Sequence, residues 1–125
     1  MTEKKRRFIQ RLVTSACSLF FMVAGSFHFL NPEPFVEIMP EVLPFPLALV
    51  YISGFFEILG GLGLLFARTR QKASWGLLAL LIAVFPANLN MAINSIDFGL
   101  PHEWLWWRLP LQVVFVLWVW CAGRD

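Results

Sequence analysis

Four long apolar stretches, separated by short polar ones, dominate the hydrophobic pattern of this chain. Each is close to the ~20 helical residues that cross the hydrocarbon core of a bilayer. The pattern predicts spans at residues 9–30, 46–67, 73–96 and 105–122. Because these spans and their connections use nearly the whole chain, we expect residues 1–125 to form one all-α domain, a four-transmembrane-helix bundle.

The connection between the first two spans, residues 31–45, mixes four prolines and three glutamates with apolar side chains. Prolines at this density prevent a long helix. Side chains such as Phe35, Ile38 and Leu43 are too apolar for a solvated loop. We therefore expect a short amphipathic segment that lies on the membrane surface.

Composition supports a membrane protein, because 58% of the residues are hydrophobic and only 14% are charged. Soluble domains carry about a quarter charged residues, so a soluble monomer is excluded. The basic residues 1–7 run directly into the first span, which favours a topology anchor over a nucleic-acid-binding arm. Cys17 and Cys121 form no C-x-x-C motif and are expected to be small hydrophobic residues.

The distribution of lysine and arginine predicts the orientation of the spans. All but one of the ten basic residues lie in the N-terminal segment, in the 68–72 loop or at the C-terminus. The connections at 31–45 and 97–104 contain none. The positive-inside rule then places both termini on the cytoplasmic side of the cytoplasmic membrane and both acidic connections outside.

Glu57 is a carboxylic acid near the middle of the second span, and small residues such as Ser53 and Gly61 share its side of the helix. Burial in hydrocarbon favours the neutral acid, whereas a nearby arginine favours the carboxylate, so its protonation state stays open. Arg108, one turn inside the fourth span, is the basic residue outside the orientation pattern. A charge at such a depth costs about 3 kcal/mol, and it is commonly paired, faces a cavity or snorkels to the interface. A direct pair with Glu57, or a bridge through Gln112, His28 or water, are the alternatives.

Depth within each span and helical spacing predict that the strongly polar side chains of all four spans lie close together in the outer half of the membrane. Glu57 is the member of this cluster nearest the midplane. Spacing places Asn90 and Asn94 on one face of the third span and Asn88 elsewhere, although a kink at Pro86 blurs this assignment. The cluster could bind a ligand or proton, hold the helices together or contact a partner. Its predicted members are His28, Ser53, Glu57, Asn88, Asn90, Asn94, Arg108 and Gln112.

Several stretches resemble the DoxX-like family of small membrane proteins, including the MauE/DoxX redox-associated group. They are residues 24–29 with Pro32 and Phe35, and then residues 43–46, 53–64, 85–92 and 107–112. The resemblance implies a four-helix membrane bundle. It also implies a link to redox complexes, since some relatives are associated with thiosulfate:quinone oxidoreductase or thiol-stress complexes, and a distant branch assists receptor assembly.

Three functions follow as hypotheses. The first is a non-enzymatic accessory or assembly subunit, with other membrane or redox proteins as partners and oligomers allowed. The second is a redox-complex subunit that binds quinone or a similar small molecule at His28, Glu57 and Arg108. The third, proton-coupled transport of a small solute, rests on Glu57 and the Pro86 kink. No catalytic or metal-binding motif is visible, and we expect no nucleic-acid partner.

Overall fold

A computed structural model describes residues 2–93 and 102–124, and every regular element in these ranges is an α-helix. The prediction of an all-helical chain is therefore confirmed for the described residues. The helices are α1 (Glu3–Leu30), α2 (Glu33–Glu37), α3 (Pro46–Leu64), α4 (Arg70–Ile93) and α5 (His102–Ala122). The Thr2 side chain caps α1 by accepting a hydrogen bond from the Lys5 backbone N–H at 3.2 Å.

Three of these helices, α1, α3 and α4, are long and apolar enough to cross a membrane. The apolar stretch described in α5, Trp106–Ala122, is shorter. Three candidate spans support the prediction of a membrane protein, and the fourth span stays a prediction.

Each long helix packs against two others. Helix α1 contacts α3 and α5, and helix α4 also contacts α3 and α5, so the four close into a ring. A buried core runs through the ring near its basic end, the end that carries the N-terminal segment and the 68–72 loop. It consists of Cys17, Phe21, Leu64, Leu77, Leu81, Val119 and Ala122.

Helices α1 and α3 approach most closely where glycines face each other. A Cβ added at Gly54 would lie 2.6 Å from the Cβ of His28 and 2.8 Å from the carbonyl oxygen of Gly25. A Cβ added at Gly25 would lie 2.6 Å from the carbonyl oxygen of Gly54 and 3.0 Å from the Cβ of Glu57. Only glycine fits at both positions, as at other close helix crossings in membranes, and this crossing brings His28 against Glu57.

Hydroxyl groups form hydrogen bonds between the helices near the basic end. Thr14 Oγ1 donates to the Ala122 carbonyl at 3.0 Å, and Ser74 Oγ donates to the Val119 carbonyl at 2.8 Å. Ser18 Oγ donates in the same way to the Gly61 carbonyl of α3 at 2.5 Å. These bonds pair the hydroxyl groups of Thr14, Ser18 and Ser74 with backbone carbonyls of neighbouring helices.

A polar cavity between the helices

A cavity of about 440 Å³ lies between the four long helices on the side of the 31–45 connection. Its volume is within the ~300–1,000 Å³ that small-molecule sites occupy. Most of its wall is apolar, with a few polar side chains contributed by all four helices. Six of the eight residues predicted for the polar cluster line it: His28, Ser53, Glu57, Asn88, Arg108 and Gln112.

The Gly25–Gly54 crossing sets His28 of α1 beside Glu57 of α3. Glu57 Oε2 lies 3.1 Å from His28 Nδ1, and both side chains are largely buried. Nδ1 also contacts the carbonyl oxygen of Ala24 at 2.9 Å, and because a carbonyl can only accept, Nδ1 carries a proton. This N–H is directed at Ala24, so Glu57 Oε2 is buried without a well-directed hydrogen bond from any described residue. Of the side chains considered as links between Glu57 and Arg108, His28 is the one that the structure places against Glu57.

A second polar group joins α4 to α5 across the cavity. The Asn88 Nδ2 amide donates to Gln112 Oε1 at 3.0 Å, and Gln112 Nε2 donates to the Leu81 carbonyl at 2.6 Å. Gln112 is buried, and both the oxygen and the nitrogen of its amide are hydrogen-bonded. This part of the cluster links helices whether or not a ligand is present.

The prediction from helical spacing was wrong for Asn88 of α4. Asn88, predicted to point elsewhere, lines the cavity, whereas Asn90 Nδ2 donates to the Ile38 carbonyl at 2.9 Å. Pro86 lies within α4 two residues before Asn88, and a proline there removes a helical hydrogen bond and shifts the helical phase. Asn94 lies outside the described residues. Arg108 of α5 is partly buried and lines the cavity.

The connection 31–45 covers the outer end of the cavity. The Phe35 ring stacks on the His28 ring with centroids 4.1 Å apart and an interplanar angle of 17°. Ile38 is buried, and Met39 and Leu43 join it in the cavity wall. Phe35 and Ile38 therefore pack against the helices, whereas Val42 and Phe45 are exposed, and the position of this segment on a membrane surface stays a prediction.

Exposed side chains in the middle of two helices show that the cavity also reaches the side of the molecule. Ile52 of α3 and Ala83 of α4 are exposed to the exterior and also line the cavity. Both lie within candidate membrane spans. In a bilayer, this opening between α3 and α4 would face lipid rather than water.

Four phenylalanines contribute to the cavity wall, and no sequence pattern distinguishes them from the other phenylalanines. They come from α1, α5 and the connection: Phe20, Phe21, Phe35 and Phe115. Aromatic walls with a few convergent polar groups suit a ring-bearing, mostly apolar molecule with hydrogen-bonding oxygens or nitrogens. Within residues 2–93 and 102–124, no three His, Cys, Asp or Glu side chains come together as metal ligands.

The fold and the cavity define an all-helical, membrane-type protein with a mixed polar and aromatic cavity between its helices. Residues 17–123 match a protein family described as Domain of unknown function (DUF8561), and the chain belongs to this family. The matched range contains every residue that lines the cavity. No curated protein and no solved structure matches the chain.

Proposed function

We propose that the chain is a four-span protein of the cytoplasmic membrane, with both termini cytoplasmic, that binds a small amphipathic molecule between its helices. In this proposal it acts as a non-enzymatic subunit of a membrane complex. The arrangement of basic residues and the ring of four long helices support the four spans. The resemblance to DoxX-like proteins supports a place beside redox enzymes.

The observation that carries the proposal is the position of Glu57. Glu57 lines the cavity of about 440 Å³, and its buried Oε2 atom has no well-directed hydrogen bond from the described residues. If the cluster served only to hold the helices together, its members would pair across the interface and fill the space, as Asn88 and Gln112 do. An unsatisfied carboxyl oxygen costs free energy, and a ligand that donates a hydrogen bond removes this cost.

The walls of the cavity favour a ligand that dissolves in the bilayer. The lateral opening between Ile52 and Ala83 would admit such a molecule from the membrane. A quinone combines an aromatic-sized ring with oxygens that accept or donate hydrogen bonds, depending on its redox state. His28, Glu57 and Arg108 would bind these oxygens, and the phenylalanine rings would enclose the quinone ring.

Binding of a short-tailed ubiquinone to detergent-solubilised protein tests the proposal when the ligand is kept in its reduced quinol form, whose hydroxyl groups can donate to Glu57. The retained ligand is counted by native mass spectrometry. We expect wild-type protein to bind it and Glu57→Gln to weaken binding about tenfold, the effect of losing one hydrogen bond. Glu41→Gln is the matched control, because Glu41 is an exposed glutamate of the 31–45 connection. Folded wild-type protein that binds no quinone, or equal affinities of the two variants, would refute the assignment.

The Asn88–Gln112 bond favours a second candidate, an assembly subunit whose polar cluster only stabilises the helices. In that case Glu57→Gln lowers the thermal stability and the yield of a copurifying partner or oligomer. Glu57→Gln protein with wild-type stability but weaker quinone binding excludes this candidate. Lower stability with unchanged quinone binding favours it.

A further inference from the structure

A second cavity, of about 650 Å³, forms a groove between α3 and α4 on the side of the basic 68–72 loop. It lies outside the helix ring, and exposed apolar side chains such as Phe56, Leu59 and Phe66 form its α3 wall. Thr69 and Lys72, at its loop end, are the polar residues of its lining.

The floor of the groove is open at Gly76 of α4. A Cβ built there meets nothing within 4 Å, whereas one built at Gly60 would lie 2.6 Å from Leu77. Close helix packing therefore explains Gly60 but not Gly76, which costs about 1 kcal/mol of helix propensity relative to alanine. Ala79 and Ala83 continue the same floor. A chain-like molecule fits along it.

Lys72 is the charged residue that lines this groove, and it lies at the end beside the 68–72 loop. Thr69 Oγ1 donates to the Gly63 carbonyl at 2.7 Å, and Arg70 Nε donates to the Leu64 carbonyl at 2.8 Å. Both side chains therefore cap the end of α3. The ammonium group of Lys72 is left as the cation that lines the groove.

The length of the groove matches one leaflet. Lys72 and Ala83 are eleven residues apart in α4, which corresponds to roughly 16 Å at 1.5 Å per residue. Half of the ~30 Å hydrocarbon core is about the same distance. An acyl chain with its phosphate beside Lys72 would reach from the membrane surface to the midplane.

We propose that this groove binds an anionic phospholipid of the inner leaflet, with an acyl chain over Gly76 and the phosphate at Lys72. The assignment rests on the proposed orientation, in which the 68–72 loop is cytoplasmic. Basic pockets between helices on this side of a membrane bind acidic head groups. A second copy of the chain fits less well, because copies in one membrane share an orientation, and a two-fold contact here would bring two Lys72 side chains to the same depth.

The test uses full-length protein in nanodiscs of equal phosphatidylglycerol and phosphatidylethanolamine, followed by mass spectrometry of the lipids that stay bound after transfer to neutral detergent. We expect wild-type protein to retain phosphatidylglycerol in preference to phosphatidylethanolamine. Lys72→Gln should lower this preference about fivefold, the contribution of one lysine near an anionic surface. Lys5→Gln, at an exposed lysine of the N-terminal segment, should not.

Gly76→Leu should fill the groove and abolish retention, whereas Gly76→Ala, whose methyl has open space, should keep it. Thermal unfolding verifies that both variants fold, and Lys72→Gln tests the site without changing the floor. Equal retention by wild-type and Gly76→Leu proteins, or equal effects of Lys72→Gln and Lys5→Gln, overturns the proposal. A lower dimer fraction in Gly76→Leu with unchanged lipid assigns the groove to a second copy instead. Glu57→Gln should keep the phospholipid, so this result is separate from quinone binding.

Discussion

Gly54→Ala places one methyl group where α1 and α3 cross, and it tests how the site is positioned. The new Cβ would lie 2.6 Å from the Cβ of His28 and 2.8 Å from the carbonyl oxygen of Gly25. Both distances are below the 3.0 Å that real Cβ contacts respect. One of these atoms belongs to the backbone, and the other is fixed directly to it. Relief therefore requires α1 and α3 to separate, because rotation of a side chain cannot remove the contact.

The free energy of unfolding should fall. Overpacking a well-packed helix contact costs about 1–3 kcal/mol. Replacing glycine by alanine within a helix returns up to about 1 kcal/mol of propensity. Because two atoms fixed to the backbone obstruct the new methyl group, the upper part of the overpacking range, about 2–3 kcal/mol, applies. The net effect of Gly54→Ala is then a destabilisation of about 1–2 kcal/mol, together with a longer distance between His28 and Glu57.

Gly76→Ala is the matched control, since it makes the same chemical change in another apolar helix. Nothing lies within 4 Å of the added methyl group, so the propensity gain should appear alone as a stabilisation of about 0.5–1 kcal/mol. Unfolding by sodium dodecyl sulfate in mixed micelles, followed by circular dichroism, measures both variants. Shifts in the same direction, or a Gly54→Ala effect within about 0.5 kcal/mol of zero, would refute the packing argument.

Three further changes test other parts of the molecule. Gln112→Leu should lower the free energy of unfolding by about 1–3 kcal/mol, because it removes two hydrogen bonds and leaves the Asn88 amide without its partner. Adding Asn88→Leu should recover part of this loss. Strictly additive effects of the two substitutions in a double-mutant cycle would contradict the Asn88–Gln112 bond. Ser18→Ala should cost about 0.6 kcal/mol, the average for such bonds in membranes, and a neutral result in the micelle assay would show that its bond to α3 contributes nothing. A cysteine at Glu41 should react with a membrane-impermeant maleimide in intact cells, whereas a cysteine at Lys5, in the N-terminal segment, should react only after permeabilisation. The reverse pattern would invert the proposed orientation.

The sequence predicted the features that depend on local pattern. Apolar length alone indicated the helices, and helical spacing placed Glu57 on the same face as small residues. The depth of each polar residue in its predicted span was enough to place His28, Glu57, Arg108 and Gln112 in one cluster, and all four line the cavity. The partner of Glu57 was left open, because the choice of His28 depends on how closely α1 and α3 cross at Gly25.

The rest depends on contacts between segments distant in sequence. Asn90 bonds to a backbone carbonyl of the irregular connection at Ile38, and every residue carries such a carbonyl, so no side-chain pattern identifies the acceptor. The same holds for the hydroxyl group of Thr14, which bonds to the Ala122 carbonyl. The cover that the connection forms over the cavity was missed because apolar side chains between prolines suit a membrane surface and a protein surface equally well.

The contact between α1 and α5 has a consequence for how the protein is made. Thr14 Oγ1 bonds to the Ala122 carbonyl, 108 residues later, and Trp118 Nε1 bonds to the Val13 carbonyl, 105 residues earlier. At about 5–20 residues per second, the ribosome needs roughly 5–20 s after the Thr14 codon before the partner of Thr14 exists. In a bilayer, α1 would therefore wait with this seam uncovered while α3 and α4 are inserted beside it. The α1–α5 and α4–α5 contacts both have to wait for α5, and of the two seams the one on α1 stays uncovered longer, because α1 is made before α4.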